Sequence, residues 1–112
     1  MHDPTPVKLS LTETVIAELL RQSAKPLFGL ELVRRSPPGE LQLKKGTIYV
    51  TLERMEKKGL VTSELETAPP SHVKEGDFYI PRRMYRLTSR GLDALAATKA
   101  MLGQYYDFLL GS

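Results

Sequence analysis

Cysteine and tryptophan are both missing from the 112 residues. Without thiols there are no disulfides and no thiolate metal ligands, which excludes a stapled secreted scaffold and fits a cytoplasmic protein. Histidine is scarce: His2 lies near the start and His72 in a loop-like stretch, so no metal-ligand cluster can be drawn. There is no glycine-rich phosphate loop, and no nucleophile stands beside a base. An enzyme is not expected, and no cofactor is implied. No apolar run reaches the roughly 18 residues that would cross a membrane. The opening MHDPTPVKLS carries an acid and two prolines where a secretory signal needs a basic start and an apolar centre.

An excess of one charge is also weak. Sixteen Lys and Arg against thirteen Asp and Glu leave a net charge of +3, too little to declare a nucleic-acid partner. The distribution is more telling. From Lys44 to Arg90 there are ten basic and six acidic residues, a local +4, so the rest of the chain sums to −1.

What is present is periodicity. Apolar residues make up 41% of the chain and charged residues 26%, as in a globular domain. The tail, with Pro4 and Pro6, is expected to be loose to about residue 9. Ser10 and Glu13 have capping-box spacing, and Val15, Ile16, Leu19 and Leu20 form a helical stripe, predicting a first helix over 11–22. A second is predicted for LFGLELVRR (27–35), stopped by Ser36, Pro37, Pro38 and Gly39. ELQL should then be extended, and a third helix should run over 45–58, ended by Gly59. Strands are expected at 60–66 and 82–88, joined by a long irregular stretch at 67–81. Thr88 or Ser89 should cap a final helix reaching Leu110. Three helices followed by a hairpin predict a mainly α (α+β) winged helix-turn-helix. Its expected segments are a flexible tail (1–9), the winged helix-turn-helix unit (10–88) and a long C-terminal helix (89–112).

Projected at about 100° per residue, Ile48, Leu52 and Met55 fall on the buried side of the third helix. Thr47, Val50, Arg54 and Lys57 fall on the other, with Tyr49 at the boundary. A face that is small at its start and cationic at its end fits a major groove about 12 Å wide. Thr47 and Val50 are candidates for base edges or thymine methyl groups, Arg54 for guanine or phosphate, and the Tyr49 hydroxyl for phosphate, with Thr51 counted in the same DNA-facing set. Lys44 and Lys45 stand at the positive end of their own helix dipole, at a cost of roughly 0.3–1 kcal/mol each. A phosphate bound there would reverse that penalty. Arg82, Arg83 and Arg86 make the hairpin basic, although cations also blunt sheet edges. In the last helix, Leu95, Leu102 and Leu109 fall seven apart, flanked by Leu92, Ala96 and Tyr106, half of a coiled-coil seam. A helix of about 22 residues would span roughly 33 Å, more than so small a core covers.

Three segments, KPLFGLELVRR, LKKGTIYVTLERMEKKGLV and YRLTSRG, resemble the PadR family of winged-helix transcriptional regulators over about residues 11–92. The most specific fragment is Gly46-Thr47-Ile48-Tyr49 with Leu52, Met55 and Gly59-Leu60-Val61. The second is Tyr85-Arg86-Leu87-Thr88 with Gly91. The resemblance implies a homodimeric repressor on a palindromic double-stranded DNA operator. It also implies a groove-reading third helix, a wing on the DNA backbone or minor groove, and a C-terminal helix paired with its twin, as in shorter members. Some members sense small aromatic molecules near the dimer interface, where Tyr105, Tyr106 and Phe108 could line a place, although packing is the first reading for them. Two departures stand out: Lys44 and Lys45 replace the Ser and Pro often found before the glycine, and the wing segment is long. Within it, Phe78, Tyr79 and Ile80 are expected to pack on the domain. The alternative function is a winged-helix protein-interaction module, distinguished by binding that ignores salt.

Overall fold

The computed structural model describes residues 7–67, 74, 76 and 80–111. Among the described residues, four helices and three strands are arranged as α1 (Leu11–Gln22), β1 (Leu27–Phe28), α2 (Gly29–Arg35), α3 (Ile48–Lys57), β2 (Val61–Leu65), β3 (Arg83–Leu87) and α4 (Ser89–Leu109). A single 3-10 turn, Gly39–Leu41, precedes α3. The strands form one antiparallel sheet in the order β1-β3-β2.

α1 begins where its capping box sets it. The Ser10 hydroxyl accepts from the Glu13 N–H at 3.1 Å, and the Glu13 carboxylate accepts from the Ser10 N–H at 2.9 Å. Ile16 and Leu20 then reach the core, where Leu27, Leu32, Ile48, Leu52, Met55, Leu60 and Leu95 are also buried. Burying each such side chain stabilises by about 1.5–3 kcal/mol. α3 ends in a Schellman motif: Gly59 takes φ +76°, its N–H bonds the Glu56 carbonyl, and the Leu60 N–H bonds that of Met55. The chain leaves directly into β2.

Several expectations need correction. Leu27 and Phe28 do not open the second helix; they pair with Tyr85 and Met84, making the sheet three-stranded. That pairing lies far along the chain and leaves no local periodicity. The third helix starts at Ile48 rather than residue 45, because Lys45, Gly46 and Thr47 form a turn. Part of ELQL is the 3-10 turn rather than extended chain. The end of the tail is not loose, since Leu9 is buried and Val7 packs beside it. The expectations for residues 1–6, for most of 67–81, and for Phe78 and Tyr79 lie outside the described residues; Ile80 is exposed.

Two carboxylates tie α1 to the other helices. Glu13 also receives Lys58 at 3.0 Å from the end of α3, and Glu18 holds Arg21 and, from α4, Lys99. Burial would raise the Glu13 carboxyl, but the Ser10 N–H and Lys58 outweigh it and hold it below the usual 4.5. Arg21 chiefly, with Lys99 and Gln22, holds Glu18 well below that value. Folded carboxyls that bind protons less readily than unfolded ones stabilise fully above the unfolded value, and the contribution fades as pH falls through the folded ones. The melting temperature should therefore drop below about pH 4.5, and less steeply in Glu18→Gln. Identical acid limbs for the two proteins would remove Glu18 from that account.

Candidate nucleic-acid interface

α2 and α3 are joined through a buried serine. The Ser36 hydroxyl donates to the Val33 carbonyl at 2.7 Å and accepts from the Leu43 N–H at 2.9 Å, fixing the turn that presents α3. With Ile48, Leu52 and Met55 buried, the opposite face of α3 faces outward. Thr47, Val50, Arg54 and Lys57 are exposed there, Val50 at 57%, and Thr51 is half-buried. The Thr51 hydroxyl donates to the Thr47 carbonyl at 3.0 Å, so it is spoken for within the helix. Lys57 shares its charge with Glu53 at 3.4 Å, an exposed pair of little energetic weight. The Arg54 guanidinium makes no ion pair or hydrogen bond among the described residues.

The start of α3 is electropositive. Thr47 makes no side-chain cap, and the Lys44 carbonyl absorbs the N–H groups of Thr47 and Ile48. The N–H groups of Tyr49 and Val50 find no acceptor among the described residues. Lys44 and Lys45 are exposed beside them. Two free donors, the positive end of a helix dipole and two ammonium groups all favour one thing there, an anion.

The hairpin is bound to α3 by a polar relay. The Ser63 hydroxyl on β2 donates to Glu56 of α3 at 2.8–2.9 Å and accepts from the Arg83 guanidinium at 3.1 Å. Strand alternation separates the three hairpin arginines, which sequence reasoning had treated as one group. Arg83 lies on the same sheet face as Ser63 and Tyr85, toward α3; Arg82 and Arg86 fall on the opposite face, with Met84 between them. Arg86 is exposed and carries no ion pair among the described residues. Arg82 is engaged within the protein. Its guanidinium reaches Glu66 at 2.8 Å and lies 4.2 Å from the centre of the Phe28 ring, which Arg34 approaches at 5.7 Å.

Sequence reasoning missed Glu56, Ser63, Glu66 and Phe28. Each joins elements distant in the chain, and none has a local signature. It also missed how closely Tyr49 rests on α2: a Cβ on Gly29 would stand 2.6 Å from the Tyr49 ring, which itself remains half exposed.

α4 divides into two halves. Gly91, Ala94, Leu95 and Thr98 are buried against the domain. Leu95 must therefore be withdrawn from the dimer seam: at 1% exposure it belongs to the core of its own chain, and heptad spacing could not tell which body it meets. Leu92, Ala96, Leu102, Tyr106 and Leu109 remain exposed, together with Tyr105, Phe108 and Leu110. Beyond Lys99 the helix is apolar nearly all round, with Asp107 its one charged side chain up to Leu110. Such a helix wants cover. No helix among the described residues is long and apolar enough to cross a membrane, and none of their His, Asp and Glu side chains cluster to hold a metal.

A helix-turn-helix pair backed by a three-stranded sheet, with β2–β3 beside the second helix, defines a winged helix-turn-helix. The family model of the PadR-like transcriptional regulators matches residues 16–97, and the chain belongs to that family. Among solved structures, a PadR family transcription regulator from Clostridium difficile R20291 is similar at 27% identity and TM-score 0.66, over 91% of this chain and 100% of that one. A PadR family transcriptional regulator from Eggerthella lenta is similar at 25% identity and TM-score 0.66, over 88% and 80%. Bacillus subtilis PadR in complex with operator DNA shares the fold at 20% identity and TM-score 0.63, over 79% of this chain and 46% of that one. No curated protein matches the sequence.

Proposed function

We propose that this chain is a sequence-specific DNA-binding repressor that acts in the cytoplasm as a homodimer on a palindromic operator. The outward face of α3 carries the reading: an Arg54 side chain and N–H groups without partners among the described residues stand beside an exposed Val50, flanked by Lys44 and Lys45. Phosphate docks at that start, Thr47, Val50 and Arg54 meet base edges, and Arg83 and Arg86 bring the wing to the backbone. The exposed half of α4 pairs with a second copy, setting half-sites about one helical turn, or a multiple of it, apart. A small aromatic effector would lodge among Tyr105, Tyr106 and Phe108, exposed side chains beside that seam.

Selection from random duplex DNA, repeated at two salt concentrations, tests the reading. A recovered palindrome whose affinity falls steeply with salt is the expected result. Binding that is absent or indifferent to salt would instead favour a protein-interaction module. Individual side chains divide by role. Arg54→Ala should cost about 1–3 kcal/mol and relax preference at one position, whereas Arg86→Ala should weaken all sequences alike and lower the salt slope by about one. Competition titrations on mutated operators separate the two, and a uniform loss from Arg54→Ala would demote it to a backbone contact.

A further inference from the structure

The glycine that opens α2 is not required by its backbone. Gly39, Gly59, Gly76 and Gly111 are the described residues with positive φ; Gly29 is not among them, so alanine would fit its conformation and favour the helix. What it lacks is room. A Cβ at Gly29 would stand 2.6 Å from Cε1, 2.8 Å from Cζ and 3.1 Å from the hydroxyl oxygen of Tyr49, where carbon atoms pack at about 3.5–4.0 Å. The platform beneath the ring is stiff. Phe28, the preceding residue, is paired with Met84 in the sheet and lies under the Arg82 guanidinium. Tyr49 is half exposed, so the ring is the part that yields when the platform grows.

Resting on the proposed DNA-binding reading, we infer that Gly29 is a positioning residue: by lacking a side chain it holds the Tyr49 hydroxyl where it donates to a backbone phosphate at the rim of the groove. Tyr49 lies at the edge of the outward face of α3, beside α2, while Val50 and Arg54 occupy the middle. In helix-turn-helix docking the flank toward the first helix meets the sugar–phosphate strand, and base edges meet the centre. A neutral hydroxyl on a phosphate displaces no counterion, so its contribution carries little salt dependence and no sequence preference.

The test compares the full-length wild-type chain with Gly29→Ala, Tyr49→Phe and the double variant. The probe is the duplex that selection with the wild-type chain returns, titrated at two salt concentrations beside thermal melts. Gly29→Ala should weaken binding roughly tenfold, the scale of one hydrogen bond to a charged group. The loss should be equal on operators mutated at single base pairs, with the salt slope unchanged and the melting temperature equal or higher. In the Tyr49→Phe background the same change should add less than about twofold, because the group it displaces is already gone. An equal loss in both backgrounds, or full affinity in Gly29→Ala, would overturn the positioning role. A wild-type chain that binds no duplex would instead sink the DNA-binding reading on which it rests.

Discussion

Gly91→Ala should lower the melting temperature by roughly 10–20 °C, a loss of about 3 kcal/mol in a domain of this size. The added Cβ would lie 2.2 Å from the Leu60 carbonyl oxygen and 2.7 Å from a Leu87 methyl. Neither neighbour can step aside cheaply. The Leu60 carbonyl is backbone in the Schellman turn and already accepts from the Thr88 N–H at 3.0 Å, while Leu87 sits in β3 packed against the core. Alanine gains about 1 kcal/mol in helix propensity over glycine, which the clash should exceed several-fold. Heat denaturation of the two proteins decides it; a variant that melts within about 3 °C of the parent would mean that α4 does not approach Leu60 and β3 this closely in solution.

The second large effect is expected from Leu102→Glu. Leu102 is 46% exposed in the single chain, so a carboxylate there should leave the domain folded while placing a charge in the proposed seam with a second copy. Light scattering should show the mass fall from twice 12.6 kDa to that value. Operator affinity should drop at least about a hundredfold, since two linked half-site contacts become independent ones. Far-UV circular dichroism should stay unchanged. A mass that does not move would remove Leu102, and with it the proposed seam, from dimerisation.

The sequence was most legible where neighbouring residues set the structure. Ser10 and Glu13 fixed the start of α1 because both halves of a capping box lie within one turn. Gly59 fixed the end of α3 because a left-handed residue is cheap only for glycine. The outward face of α3 followed from three apolar residues at helical spacing. What escaped depended on distance along the chain. β1 is two residues long and exists only because β3 lies beside it. Glu13 and Lys58 meet from opposite ends of a long stretch of chain, and Arg82 left the solvated group of hairpin cations because Glu66 and Phe28 claim it. Leu95 carried the right period for a seam, yet period describes a face and says nothing about which body covers it. Gly29 fell inside the second helix expected over 27–35; only the nearby ring shows why a side chain does not fit.

Thr88 joins two parts of the molecule that a simple list of elements would separate. Its hydroxyl lies 2.6 Å from the Gly59 carbonyl and 2.9 Å from that of Leu60, and accepts from the Gly91 N–H at 3.0 Å. The turn that ends α3 and the start of α4 thus meet at Thr88. On the proposed DNA-binding reading, whatever grips the exposed end of α4 would also bear on the position of α3 through this contact.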